Sequence, residues 1–488
     1  MAKWYEEAEF YHIYPIGLLG APRRNEGGET VHRLRKLTEE WLPYLKENGF
    51  GAIYIGPLFE SVSHGYDTTD YKQVDRRLGD NEDFRKFVKA AHDLGIRIVV
   101  DGVFNHTGRE FFAFRDIREK KWDSPYRNWY KGVNFDGNNW YNDGFSYESW
   151  RGCSELVNLN PWEGAVREYL LDVIDFWIDE FDIDGIRLDC ADCLELSFLE
   201  EMRGRTAARK EDFWLMGEVI HGEYDRWVRD DMLHSVTNYA LHKAFWSAHN
   251  DRNYFEIAHT IRRLPESGIR LYTFTDNHDE DRLTSKLTNP AHLAPLYTLL
   301  FSLPGIPSIY YGSEWGIQGK RTPYSDHVLR PAVTAGEARE KANELTALIR
   351  RLIRIHRENP EFHFGRYQEL SLTNRQFAFA RLGEESMAVT AVNCDDAPCS
   401  FSLALPAGGS RAASLLAGTK TDLTDGVLTF TLEANSGEIF RVWDGPDEAG
   451  AGDTAPESGA STAGRPADGA DADEAAAGAE PIKYTTGE

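Results

Sequence analysis

The chain has 488 residues, 41% hydrophobic and 12% aromatic, enough for several packed domains around a large core. A formal charge of −25 repels phosphate backbones and anionic membranes, which argues against nucleic acid and for a neutral or cationic substrate. Five scattered cysteines, an odd number, suit reduced thiols rather than a disulfide framework.

The N-terminal residues lack the apolar stretch of a secretory leader, and no run of 18 apolar residues occurs. The expected location is therefore the cytoplasm, with no membrane association. From there a unit recurs: a short β-rich apolar run, a polar loop, then an amphipathic helical stretch. Strands are expected at 10–15, 52–57, 96–104, 185–188, 213–216, 236–239, 271–275 and 306–311. Helices are expected at 30–48, 81–94, 164–181, 197–209 and 254–264. Eight strands alternating with helices read as an α/β fold, the (β/α)8 barrel, over 1–361.

The third unit carries an insertion at about 107–163. Its residues 109–162 hold 14 aromatics among many Asn, Asp and Gly, as suits a small subdomain whose rings serve its own core and also stack against sugars. After a helix at 337–357, the pattern turns to alternating strands at 376–381, 387–393, 427–432 and 437–443. This predicts a C-terminal antiparallel β domain at 362–443, read as a sandwich. Residues 444–488 hold eleven acidic and two basic residues with one aromatic, a composition that cannot offset chain entropy and is expected to stay disordered.

A closed parallel barrel presents reactive groups where strands end. Four such ends carry polar clusters: Asp101-Gly-Val-Phe-Asn-His106, Gly185-Ile-Arg-Leu-Asp189, Gly217-Glu218, and Phe274-Thr-Asp-Asn-His-Asp279. Arg187 and Asp189, two apart on a strand, share a face, so the cation should keep the carboxylate ionised as a nucleophile. Apolar neighbours of Glu218 should raise its pKa toward that of a general acid. Carboxylates on adjacent strand ends can approach to about 5–5.5 Å, the spacing of retaining glycosidases. Cys190-Ala-Asp-Cys193 is a CxxC without a second pair, and reads as two buried structural thiols rather than a zinc or redox motif.

The four clusters, in this order, resemble the signature regions of the α-amylase superfamily, glycoside hydrolase family 13, over roughly residues 8–360. The resemblance implies Asp189 as nucleophile, Glu218 as acid/base and Asp279 as transition-state stabiliser. Arg187, His106 and His278 would hold the −1 sugar and the nucleophile, and Asp101 would be a structural partner. His64-Gly-Tyr-Asp-Thr-Thr-Asp-Tyr71 is similar to the segment whose Tyr, here Tyr66, stacks under that sugar, and 305–316 to the family's eighth strand. The insertion looks like the family's domain B and the terminal β domain like its domain C.

Two segments depart from the family pattern. Leu156-Val-Asn-Leu-Asn160 keeps the final Leu-Asn of the domain-B signature without its Pro. Asp192-Cys193 replaces the Lys-His of many α-amylases, which removes expected +2 subsite contacts and a group associated with calcium. Asn105 matches a usual Ca2+ ligand position, but no cofactor is expected to be required. The first strand begins by about residue 10, leaving no room for the N-terminal domain typical of cyclomaltodextrinases, which with the missing leader points to small imported maltodextrins. The expected function is α-1,4-glucan hydrolysis. The alternatives are an exo-acting α-glucosidase or oligo-1,6-glucosidase, a transglycosylase or isomerase, and a non-catalytic sugar binder, against which the intact acids argue. The oligomeric state is left open.

Overall fold

A computed structural model describes residues 3–264, 270–384, 386–407 and 409–444. The acidic tail expected to be disordered lies, but for Asp444, outside the described residues. Eight parallel strands form one sheet: β1 (Phe10–Ile13), β2 (Ala52–Ile55), β3 (Arg97–Gly102), β4 (Gly185–Leu188), β5 (Trp214–Gly217), β6 (Ser235–Val236), β7 (Tyr272–Phe274) and β8 (Ile306–Tyr310). The spatial order is β6-β5-β4-β3-β2-β1-β8-β7, and a parallel bridge from Thr237 to Tyr272 joins the two ends. The sheet is thus a closed barrel with no unpaired edge.

Alternation along each strand sorts the side chains. Ala52 and Tyr54 point into the barrel beside Phe10, Val99, Trp214, Met216 and Phe274, while Ile53 and Ile55 face the surrounding helices. Each fully buried large apolar side chain contributes roughly 1.5–3 kcal/mol, so the barrel interior is a rigid floor rather than a channel.

Helix boundaries follow local chemistry. Asp80 Oδ1 accepts the Asp83 amide at 2.8 Å, and the helix starts at Asn81. The helix expected at 30–48 begins only at Leu34 and widens into a π turn at Leu37–Trp41, just before Pro43, whose ring nitrogen cannot donate. The single helix expected at 337–357 is two, Ala335–Glu340 and Glu344–Glu358, because the Asn343 side chain caps the amides of Leu345 and Thr346 at 3.0 and 3.2 Å. The strand expected at 236–239 stops at Val236. Asn238 then accepts the Leu241 amide at 3.0 Å and starts helix Tyr239–Asn250, which the apolar pattern did not reveal.

In the insertion, His106–Gly108 pairs antiparallel with Leu156–Asn158, setting His106 opposite Asn158. Five of its 14 aromatics are buried (Phe111, Phe114, Trp129, Tyr130, Phe145) and five exposed (Phe112, Trp122, Trp140, Tyr141, Trp162). The C-terminal antiparallel domain has a six-stranded sheet, in spatial order Arg366–Leu372, Gln376–Leu382, Ser386–Asn393, Ser436–Trp443, Arg411–Ser414 and Lys420–Asp422, and a separate antiparallel pair, Cys399–Ala404 with Val427–Leu432. Ala378, Val389 and Ala391 of the first pack with Phe401, Leu403 and Leu428 of the second. No described helix is long and apolar enough to cross a membrane.

Candidate active site

The polar clusters expected at strand ends converge on one guanidinium. Arg187, inward-facing on β4 and buried, donates from Nη1 to Asp101 Oδ1 at 2.8 Å and to Asp189 Oδ1 at 3.0 Å, while its Nη2 lies 2.8 Å from Glu218 Oε2. One fixed cation therefore gathers acids from β3, β4 and β5, held apart only by its planar fork. Asp101 is anchored from below: its Oδ2 accepts the hydroxyls of Tyr54 at 2.9 Å and Tyr66 at 3.1 Å.

Gly56, just after β2, makes room for this arrangement, since a Cβ there would stand 2.2 Å from Asp101 Cβ. Gly56→Ala is expected to push Asp101 off Arg187 and lower kcat far more than its stability cost of about 1–3 kcal/mol would suggest. Urea denaturation run beside steady-state kinetics checks this; unchanged kcat in the folded variant would show that Asp101 need not stay where it is.

The electrostatics of Asp189 differ from the sequence expectation. Arg187 is shared among three carboxylates, so it cannot be assigned to Asp189 alone. Burial, with the nearby charges of Glu218 and Asp101, pushes the Asp189 carboxyl up to about 8 against the opposing pull of Arg187. Its Oδ2 accepts the Cys190 thiol at 2.8 Å. Cys190 occupies the left-handed region (φ 39°, ψ 50°), a strained conformation for a residue with a Cβ. Glu218 pins it there, accepting the Cys190 amide at 3.0 Å on Oε2 and the Ala191 amide at 2.9 Å on its backbone oxygen. The expectation of two buried structural thiols therefore fails: Cys190 is buried but bonded to Asp189, and Cys193 is exposed on the following turn. Tyr239, turned inward by the early start of its helix, donates to Glu218 Oε1 at 3.3 Å.

Asp279 closes the opposite side. Its Oδ1 lies 2.7 Å from Arg330 Nη2 and its Oδ2 3.0 Å from His278 Nε2, yet 44% of the side chain is exposed, against 11% for Asp189 and 13% for Glu218. Burial would raise this carboxyl, but His278 and Arg330 outweigh it and hold it well below the usual range. His278 stacks on Tyr14 and on Tyr66, each at 5.6 Å, and its Nε2 is also 2.5 Å from the Tyr66 hydroxyl. Arg330 further donates to the His278 carbonyl at 2.9 Å and lies over the Tyr14 ring. The segment carrying it is fixed by the buried Arg282, which donates to the carbonyls of Leu329 at 2.7 Å and Tyr311 at 2.8 Å.

His106 lies at the insertion's entry, 1% exposed, with Nε2 unpartnered and Nδ1 3.2 Å from Asn105 Nδ2. Burial and His64 lower its pKa to about 3, so the ring is neutral. Trp150 brings one ring of the insertion to the site, 6.0 Å from His106. The Asn105 neighbourhood does not fit calcium, which wants several oxygen ligands. Asn105 directs its amide nitrogen at His106 and, at 3.4 Å, at Asn158 Oδ1, and the cavity beside it is lined by Lys131, Arg167 and apolar groups with one carboxylate, Glu195.

All seven residues expected to act or bind, Tyr66, His106, Arg187, Asp189, Glu218, His278 and Asp279, thus meet at the C-terminal rim. Tyr14, Tyr239 and Arg330 join them without having been singled out, and Cys190, read as a structural thiol, joins them as well. For Cys190 the signal was adjacency to Asp189; Tyr239 closed an expected strand that carried no polar cluster, and Tyr14 and Arg330 reach the site only through folding.

The alpha amylase catalytic-domain family model matches residues 28–359, more than half of the chain. The chain belongs to the alpha-amylase family of glycoside hydrolases. It is 33% identical over 353 residues to a cyclomaltodextrinase of Thermoanaerobacter pseudethanolicus, covering 70% of this chain and 60% of that one. It therefore spans less than two thirds of that relative's length. Neopullulanase 2 of Thermoactinomyces vulgaris is 30% identical over 484 residues, covering 91% of this chain and 78% of the relative. Among solved structures, Ttha1563 from Thermus thermophilus superposes with a TM-score of 0.78 at 32% identity, covering 90% of this chain and all of that one.

Proposed function

We propose that this family member is a cytoplasmic retaining glycoside hydrolase that cleaves α-1,4-glucosidic bonds of maltodextrins. The observation that carries the reading is the Arg187 fork joining Asp189 and Glu218, with the open carboxylate of Asp279 across from them. Asp189 attacks the anomeric carbon and forms the glycosyl-enzyme bond as the glycosidic C–O bond breaks. Glu218 delivers its proton to the leaving oxygen, then takes one from the water that releases the sugar with its α configuration retained. Oε1 of Glu218, whose one hydrogen-bond partner among the described residues is Tyr239, is the oxygen placed to carry that proton. Asp279, kept ionised by His278 and Arg330, is the carboxylate that would offset the positive charge building on the distorted ring. His106 supplies a neutral donor for its hydroxyl edge, and Tyr66, whose hydroxyl is committed to Asp101, offers its ring for stacking.

The names of the relatives, cyclomaltodextrinase and neopullulanase, support an α-glucan as substrate. Digestion of maltoheptaose, sampled over time with the product anomer read by NMR, tests the proposal. α-Maltose and short α-maltodextrins are expected; glucose alone would mean exo action, longer or rearranged sugars transfer, and β products an inverting mechanism.

Arg330 is a positioning residue in this scheme, since it acts through Asp279. Arg330→Gln should lower kcat about 100-fold while leaving KM within a few-fold, because a misplacement of about 1 Å costs that much at a reacting centre. Arg330→Lys should recover part of the loss, and a variant whose defect lies wholly in KM would contradict the assignment.

A further inference from the structure

We infer that His106, Asp189 and Cys190 form a binding site for a thiophilic divalent cation of the zinc class, occupation of which blocks the catalytic carboxylate. Each of the three offers a ligand atom, an imidazole nitrogen, a carboxylate oxygen and a thiol sulfur, and these atoms all lie within 4.8 Å of one another. Nitrogen, sulfur and oxygen donors together select zinc-like ions over calcium or magnesium, and three protein ligands leave a fourth position for water.

The second observation is independent of the cysteine. His106 is 1% exposed and its Nε2 has no hydrogen-bond partner. Coordination through Nε2 moves the ring proton to Nδ1, and the Asn105 side-chain amide turns over to accept it, fixing the tautomer from outside the coordination sphere. The Cys190 thiol already points at Asp189 Oδ2 from 2.8 Å; binding replaces its proton with the metal, and the proton leaves to solvent.

Binding and inhibition are separable: only the inhibition rests on the glycosidase reading. With the full chain in chelator-free buffer, Co2+ is expected to bind at one equivalent with a thiolate-to-cobalt charge-transfer band, and Zn2+ to displace it. Zn2+ should inhibit maltoheptaose cleavage competitively and EDTA should reverse it. Cys190→Ala should lose the band and need at least about tenfold more Zn2+ for half-inhibition, each protein measured against its own metal-free rate. Cys190→Ser, which keeps a donor to Asp189 while removing the sulfur, should behave alike, and Cys193→Ser should match the parent. A band that survives in both Cys190 variants, a band carried by Cys193, or unchanged Zn2+ sensitivity in Cys190→Ser would overturn the site. A chain that binds Co2+ as described but cleaves no α-glucan would leave the site standing and sink the proposed function instead.

Discussion

Asp189→Asn is expected to lower kcat/KM on maltoheptaose by between about 10⁴ and 10⁶, the range seen when a central catalytic side chain is removed. The fold should survive, because Asn keeps an oxygen for Arg187 and removes a negative charge from a buried cluster of three acids. Stability should even rise with a defined pH dependence. The Asp189 carboxyl is raised to about 8 in the folded chain and falls near 4 in an unfolded one. Between these values the folded state holds more protons than the unfolded, so the parent loses stability as pH climbs through that window. Asn does not titrate, so its urea midpoint should gain on the parent's from about pH 4 to about pH 8. Asp189→Ala opens space for azide, which attacking in a single displacement should give a β-glycosyl azide. An α-glycosyl azide, or substantial turnover in folded Asp189→Asn, would place the nucleophile on another residue.

The parts of this site that were legible in the sequence are those that a single strand determines. Arg187 and Asp189 share a face because a strand alternates, and Asp101, Glu218 and Asp279 follow apolar runs that are recognisable alone. The eight-strand count was legible for the same reason. β6 was misplaced because it has only two residues, too few for any period, and its register comes from pairing Ser235 with Met216 and Val236 with Gly217. That error also hid Tyr239, which reaches Glu218 only because Asn238 starts a helix there. Arg330 and Tyr14 stand 51 and 316 residues from the partners they meet, Asp279 and Arg330, so no local pattern could reveal them. The upward shift of the Asp189 pKa was not legible because a sequence shows that Arg187 is adjacent, not that three carboxylates divide it.

Glu218→Gln is expected to separate two losses that the parent enzyme combines. On maltoheptaose, whose leaving oxygen needs a proton, kcat/KM should fall by roughly 10²–10⁴. On an α-glycosyl fluoride, whose leaving group departs unaided, formation of the glycosyl-enzyme should be largely spared. That substrate also exposes Asp189 directly, because its kcat/KM then requires Asp189 ionised and nothing protonated. Activity should therefore rise with pH as Asp189 loses its proton. The groups facing Asp189 are Arg187, Asp101, Glu218, Cys190 and His106. Burial first, then Glu218 and Asp101, raise its pKa, while Arg187 and the Cys190 thiol lower it. Gln removes one raising charge, so the acid limb of the fluoride profile should move to lower pH than in the parent. Azide should now intercept the glycosyl-enzyme without base assistance and yield the α-glycosyl azide, the product of two inversions. The pair of azide products, β from Asp189→Ala and α from Glu218→Gln, orders the two carboxylates in the reaction. Equal losses on fluoride and maltoheptaose, or an acid limb that stays in place, would remove Glu218 from the proton-donor role and leave it as a support for the Cys190 turn.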